Sequence, residues 1–291
     1  MAGPSTRILD HIVHLTPPGT LEDAVSSFQN LGFTVSPGGT HAGGKTANAL
    51  VVFGDGTYLE LIHFTSPPPN DDPNPWAHKQ PGWIDFAFLG NGGVPSIAGT
   101  INARADADGS GAHYAAEVQG GRTREDGKVL EWLISAPPGG ERGELPFFCG
   151  DLTPREWRVP LEPRSNVRHS NTARGVAHVK LLIPPEDLTA TANKLTSVLG
   201  ISPFSSIPGE VAWHLGPQLS RPDPAPTSSI PVLKLRAAEG EEEMEYVRRM
   251  RGPGIYEVGF IVSDPSQGRG ARTPYGRVVW VSAGSESGST T

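Results

Sequence analysis

Apolar and polar positions alternate along 8–15. Ile8, Asp10, Ile12 and His14 interleave there with Leu9, His11, Val13 and Leu15, the period-two signature of a strand. Pro17-Pro18-Gly19-Thr20 stops it. Beyond Thr20 the period lengthens: Ala24, Val25, Phe28 and Leu31 recur at helical spacing, with Glu22 and Asp23 in the first turn. Thr20 is placed to cap this helix and Gly32 to end it. Extended pieces follow at 33–35, 49–53 and 58–63. The Gly-rich stretch 38–44 reads as a loop, and Gly54-Asp55-Gly56 as a hairpin turn. The first 65 residues are thus strand, helix and three strands.

Three prolines in a row and two more by position 75 make 67–75 a surface connection, since proline cannot join a ladder. The pattern then restarts with a strand at 82–89, a helix at 97–107 and extended pieces at 114–118 and 129–135. Residues 145–163 read as an irregular connector. A third round has a strand at 176–183, a helix at 188–199 ended by Gly200, and strands at 211–215 and 232–235. A charged stretch at 239–251 and strands at 254–262 and 277–281 complete it. Similar segments recur in consistent order. Asp10-His11-Ile12-Val13 matches Ala177-His178-Val179-Lys180, and Asp55-Gly56-Thr57-Tyr58-Leu59-Glu60 matches Asp126-Gly127-Lys128-Val129-Leu130-Glu131. Gly43-Gly44-Lys45-Thr46 echoes Gly120-Gly121-Arg122-Thr123, and the strand from Gly82 echoes that from Gly254. Several ordered pairings argue for an internal repeat.

Composition narrows the class. Gly (36) and Pro (29) are abundant in 291 residues, which favours short strands and tight turns over long helices. A net charge of -7 and no basic stripe argue against nucleic acid as a partner. No stretch approaches a membrane span, and a single cysteine, Cys149, rules out an internal disulfide. The expected location is a reducing cytoplasm. The Ser/Gly-rich residues 284–291 read as a disordered tail.

Leu9-Asp10-His11-Ile12-Val13, the helix ending at Leu31-Gly32-Phe33, the loop 38–46 and the segment from Asp55 to Ile62 resemble the glyoxalase-like domain family of the vicinal-oxygen-chelate superfamily. The resemblance is strongest over the first 65 residues, extends to about residue 160 and thins beyond. It implies an α+β fold in which repeated βαβββ modules form a cup. Residues 1–160 would hold two modules and 161–283 a second, degenerate copy. It also implies a divalent metal on the cup floor, held by the first and last strand of each module. The matching positions are His11, Glu60, Asp85 and Glu131, with Asp85 standing where many members place a second His.

One imidazole and three carboxylates suit Mg, Mn, Fe or Ni better than a structural zinc. Parity puts Tyr58, Glu60 and Ile62 on one face of their strand and Val129, Glu131 and Leu133 on one face of theirs. A carboxylate turned into an apolar cup needs a cation or donor to offset its burial. Two functions follow. One is a metal-dependent lyase or isomerase acting on a small oxygenated metabolite through vicinal oxygens, with Glu60 or Glu131 as general base. His41, Asn48 and Tyr58 would contact its substrate. The other is a metal-free cup that sequesters a small ligand against Tyr58, Trp76, Trp83, Trp132 and Trp157. Ring-cleaving dioxygenation fits less well, because Asp85 replaces the second His. The implied partners are a small molecule and, as an option, a second copy of the chain. His14 faces away from His11, and the third module offers Lys234 and Arg236 where the first has Glu60.

Overall fold

The first strand is buried along its whole length because both of its faces are covered. The structure, a computed structural model, describes residues 4–124, 126–217, 230–264, 270–273 and 276–283. In chain order come β1 (Leu9–Thr16), α1 (Leu21–Asn30), β2 (Ser36–His41), β3 (Thr46–Val52) and β4 (Tyr58–Phe64). The same order recurs in β5 (Gly82–Leu89), α2 (Ile97–Asp108), β6 (Val118–Thr123), β7 (Val129–Ser135) and β8 (Phe147–Asp151). Pairing follows one plan in both groups. The first strand runs parallel to the last (β1 with β4, β5 with β8), and the remaining neighbours are antiparallel. Two antiparallel seams, β1–β5 and β2–β6, join the groups into a closed barrel ordered β1-β4-β3-β2-β6-β7-β8-β5.

Strand alternation sorts the side chains. Val13, Leu15, Ile62, Phe64, Ala87, Leu130, Trp132, Phe147 and Cys149 pack together inside the barrel. Ile12, Leu59, Leu61, Phe86 and Phe88 belong to a second cluster on its outside. α1 lies on that outer surface, where buried Phe28 meets His14 and Trp83 edge-on.

After α3 (Arg155–Arg158), the chain forms β9 (Ala173–Ile183), α4 (Leu188–Leu199), β10 (Ser205–Ile207), β11 (Glu210–His214) and β12 (Val232–Ala237). Then come α5 (Gly240–Met250), β13 (Gly254–Val262), β14 (Ala271–Thr273) and β15 (Gly276–Ser282). The strands make one open sheet, β10-β11-β12-β9-β13-β15-β14. β9 runs parallel to β12 and antiparallel to β13, as β1 does to β4 and β5. The outer apolar cluster is shared between the halves: Phe28, Phe33, Phe53 and Trp83 of the barrel pack with Val176, Val258 and Phe260 of the open sheet. Phe260 lies 5.2 Å from Phe33 and 5.3 Å from Phe53, ring centre to ring centre.

Several sequence expectations change. Residues 38–41, read as loop, belong to β2, because Gly39 and Thr40 still pair with β3 and Gly38 is the extra residue at a register shift. The connector 145–163 contains the barrel strand β8 and the helix α3. Its run Phe147-Phe148-Cys149 is buried on both faces and so lacks alternation. The barrel therefore closes at Asp151, within the stretch read as connector. Thr20 does not cap α1 with its side chain; its hydroxyl donates to Pro17 O. Matching Asp55–Glu60 with Asp126–Glu131 is out of step by one strand, since β4 is last in its group and β7 is last but one. Residues 284–291 lie outside the described residues.

Candidate functional site

A cavity of about 380 Å³ opens within the barrel. β4 brings Tyr58 and Glu60 to it, β3 brings Thr46, Asn48 and Leu50, and β1 and β2 bring His11 and His41. The second group contributes Arg122 from β6, Trp132 and Ile134 from β7, and Phe147 and Cys149 from β8; Trp76 joins them from the connection before β5.

Glu60 is the centre of the polar part. It is 6% exposed, and its Oε1 accepts a hydrogen bond of 2.6 Å from Asn48 Nδ2. His41 Nε2 stands 3.5 Å from Oε1 and His11 Nε2 stands 3.7 Å from Oε2. Those separations leave Oε2 without a short contact to either ring. His41 Nδ1 is 2.9 Å from Thr46 Oγ1, and burial pushes the His41 imidazole below its ordinary pKa.

His11 is held from behind. A shift in the β1–β5 register between Leu9 and His11 leaves Asp10 as an extra residue in the ladder. Its carboxylate lies 2.8 Å from His11 Nδ1. Burial would raise the Asp10 carboxyl, but the Arg158 and Arg155 guanidinium groups outweigh it and hold it well below the usual carboxylate range. An ionised carboxylate can only accept, so Nδ1 carries the proton and Nε2 faces the cavity. Arg158 also donates to Tyr58 Oη at 2.8 Å and to both Asp151 oxygens. Tyr58 in turn stacks on the His11 ring with centroids 4.6 Å apart. Burial raises the Tyr58 phenol and the Cys149 thiol well above their ordinary values, so both stay protonated at neutral pH.

The expected metal set is not brought together. His11 and Glu60 converge, but Asp85 is consumed elsewhere. Its Oδ2 accepts from Trp76 Nε1 at 2.8 Å and from Arg142 Nε and Nη2 at 2.7 Å, while Oδ1 accepts from the Phe86 amide. Glu131 lies on the outer face of β7, exposed, where it accepts from Gln119 Nε2. It can be neither a ligand nor a base for the cavity. The parity that grouped Val129, Glu131 and Leu133 holds, but that face points outward. The last strand of the second group offers Phe147 and Cys149 in place of a carboxylate. Among the described residues, no group of three or more His, Cys, Asp or Glu side chains is placed to hold a metal ion. The four ligands expected from the sequence therefore do not form one site, because Asp85 and Glu131 are engaged elsewhere.

His41, Asn48 and Tyr58 line the cavity, as do Trp76 and Trp132. Trp83 is instead buried against the open sheet, its Nε1 donating to Arg277 O at 3.2 Å. Sequence reasoning missed Asp10, Arg122 and Arg158. The signal available for Asp10 was a carboxylate beside a strand histidine; the two arginines carried none.

No curated protein matches the chain in sequence. Among solved structures, a hypothetical protein from Staphylococcus aureus superposes with a TM-score of 0.66 at 11% identity, covering 94% of this chain and 98% of that one. A mutant of 4-hydroxymandelate synthase from Streptomyces coelicolor superposes with a TM-score of 0.54 at 14% identity, covering 93% and 78%. At these identities the likeness is one of fold. The model of the glyoxalase-like domain matches residues 9–199, which takes in the whole barrel, the connector and the start of the open sheet. With that match over most of its length, the chain belongs to the glyoxalase-like domain family.

Proposed function

We propose that the protein is a glyoxalase-like enzyme, a lyase or isomerase that moves a proton on a small oxygenated metabolite held inside the barrel. The observation that carries this reading is Glu60, a buried carboxylate with one oxygen fixed by Asn48 at 2.6 Å and imidazoles 3.5 and 3.7 Å away. Glu60 Oε2 takes the proton from a carbon next to a carbonyl, whose oxygen accepts the electron pair as an enolate. A general base needs this combination of a held orientation and a free oxygen on the substrate side. His11, kept in one tautomer by Asp10, presents Nε2 to receive or return that proton. His41, kept neutral at neutral pH by burial, stands on the other side of Glu60 as a hydrogen-bonding partner for the substrate oxygen. Tyr58 and Arg158 position His11 and do not react. Phe147, Trp132 and Trp76 give the cavity apolar walls that restrict water around the reacting carbon.

The test is deuterium uptake from D₂O, followed by proton NMR, across a panel of small 2-hydroxy and 2-oxo compounds. The wild type is expected to exchange a C–H beside the oxygenated carbon of at least one compound. Glu60→Gln should slow that exchange by roughly 10²–10⁴-fold. Undiminished exchange in Glu60→Gln would overturn the assignment of the base. Saturable binding without exchange would favour a sequestering protein. A melting temperature that rises with Mn²⁺, Ni²⁺ or Fe²⁺ in the wild type, and not in Glu60→Gln, would replace the metal-independent step with a metal-dependent one.

A further inference from the structure

Arg122 is 5% exposed and lines the same cavity. Among the described residues, its one hydrogen bond runs from Nη1 to the backbone carbonyl of Gly38, and no carboxylate lies within ion-pair distance of it. The other buried guanidinium groups around the barrel are treated differently. Arg158 is paired with Asp10 and Asp151, and Arg142 with Asp85. A guanidinium does not lose its proton near neutral pH, so Arg122 is a buried charge whose desolvation one carbonyl only partly offsets. Burial accordingly works against its charged form. Such a group persists where something else supplies the missing anion.

Its position says where that anion would sit. β6 meets β2 at the seam between the two strand groups, and there Arg122 is paired directly with His41. His41 in turn stands 3.5 Å from Glu60. The cationic end of the cavity is thus contributed by β6 of the second group and the carboxylate end by β4 of the first, with β3 and β2 between them. Glu60 attracts Arg122 at a distance without contacting it.

We infer that Arg122 is a carboxylate anchor: the cavity takes a small organic acid, whose carboxylate docks on Arg122 while its oxygenated carbon lies at Glu60. This names the substrate class of the proton-transfer reading above and rests on it. A planar guanidinium can hold a carboxylate through two parallel N–H donors, which fixes both distance and orientation. Anchoring the acid group there would set the neighbouring carbon toward His41 and Glu60, the arrangement that general-base removal of its proton requires.

The binding test uses salicylate and salicylamide, matched in shape and differing in charge, titrated calorimetrically into the full chain. The wild type should bind salicylate at least about tenfold more tightly than salicylamide. Arg122→Gln should abolish the preference, Arg122→Lys should keep part of it, and unchanged melting of Arg122→Lys would show that the barrel is intact. Equal affinity of the wild type for both probes, no measurable salicylate binding, or a preference surviving in Arg122→Gln overturns the inference. Glu60→Gln separates the two proposals. It should retain the salicylate preference even if Glu60 proves not to be the base, because the anchor does not depend on proton transfer.

Discussion

Asp10 and His11 are neighbours in the chain, yet each has a different task, and the extra residue in the β1–β5 ladder is what allows this. His11 faces the cavity while Asp10 reaches the guanidinium groups of Arg155 and Arg158, each at 2.7 Å. His14, three residues on, has a different environment. It is buried against Phe28 and Trp83, and burial pushes its pKa from 6.5 down to about 3. His169, under Phe33 and Phe53, is pushed down to about 4. Both folded values lie below the unfolded one, so between them the unfolded chain binds more protons. Their contribution is level above about pH 6.5 and turns against folding as the pH falls toward 4 and then 3. Urea-unfolding free energies between pH 7 and 4 should therefore fall with pH, and His14→Leu should flatten that slope. An unchanged slope in His14→Leu would place the proton uptake elsewhere.

Among the strands, β2 is the least strand-like in sequence and the most constrained in space. A Cβ at Gly38 would meet Asn48 Oδ1 at 2.0 Å and Asn48 O at 2.5 Å, a backbone contact that cannot be relieved by a rotamer change. Gly38 also offers the carbonyl that Arg122 uses. The glycine is thus required for close strand approach, and that approach holds Asn48 against Glu60. Gly38→Ala should destabilise the protein by about 1–3 kcal/mol through overpacking, seen as a lower melting temperature. A variant that melts with the wild type would mean that β2 and β3 can separate at little cost. The open sheet repeats the plan of the first strand group with different chemistry. Where β4 carries Glu60, β12 carries Lys234 paired with Lys180, and Glu257 of β13 is held by His178 and Lys180 at 2.9 Å. Burial would raise the Glu257 carboxyl, but these hydrogen bonds outweigh it and bring it down to about 2. Glu257 is therefore committed to neighbouring cations, whereas Glu60 in the barrel accepts its short hydrogen bond from the neutral Asn48 amide.

Across the whole molecule, the two halves share one apolar cluster, with polar contacts such as Lys194 to Glu141 and Ser197 to Asp108 beside it. Phe33, Phe53, Phe260 and Trp280 pack ring against ring across the junction. Phe260→Ala should cost about 3–5 kcal/mol and shift a single calorimetric transition downward as a unit. A barrel transition left unmoved while a second one drops would show that the halves unfold independently. The sequence by itself determined the alternation of strand and helix, the common face of Tyr58, Glu60 and Ile62, and the His11 strand, because periods of 2 and 3.6 are local properties of the chain. It could not show β8, whose unbroken apolar run hides its period. Nor could it show that the face bearing Glu131 points outward, since parity says which residues share a face and not which way it looks. Only the tertiary structure decided the charge partners. Asp85 is neutralised by an arginine 57 residues away, and Asp10 by one 148 residues away. Among the described residues Arg122 is left with none, because a charge is satisfied by whatever the fold brings within a few ångströms and chain spacing carries no record of that.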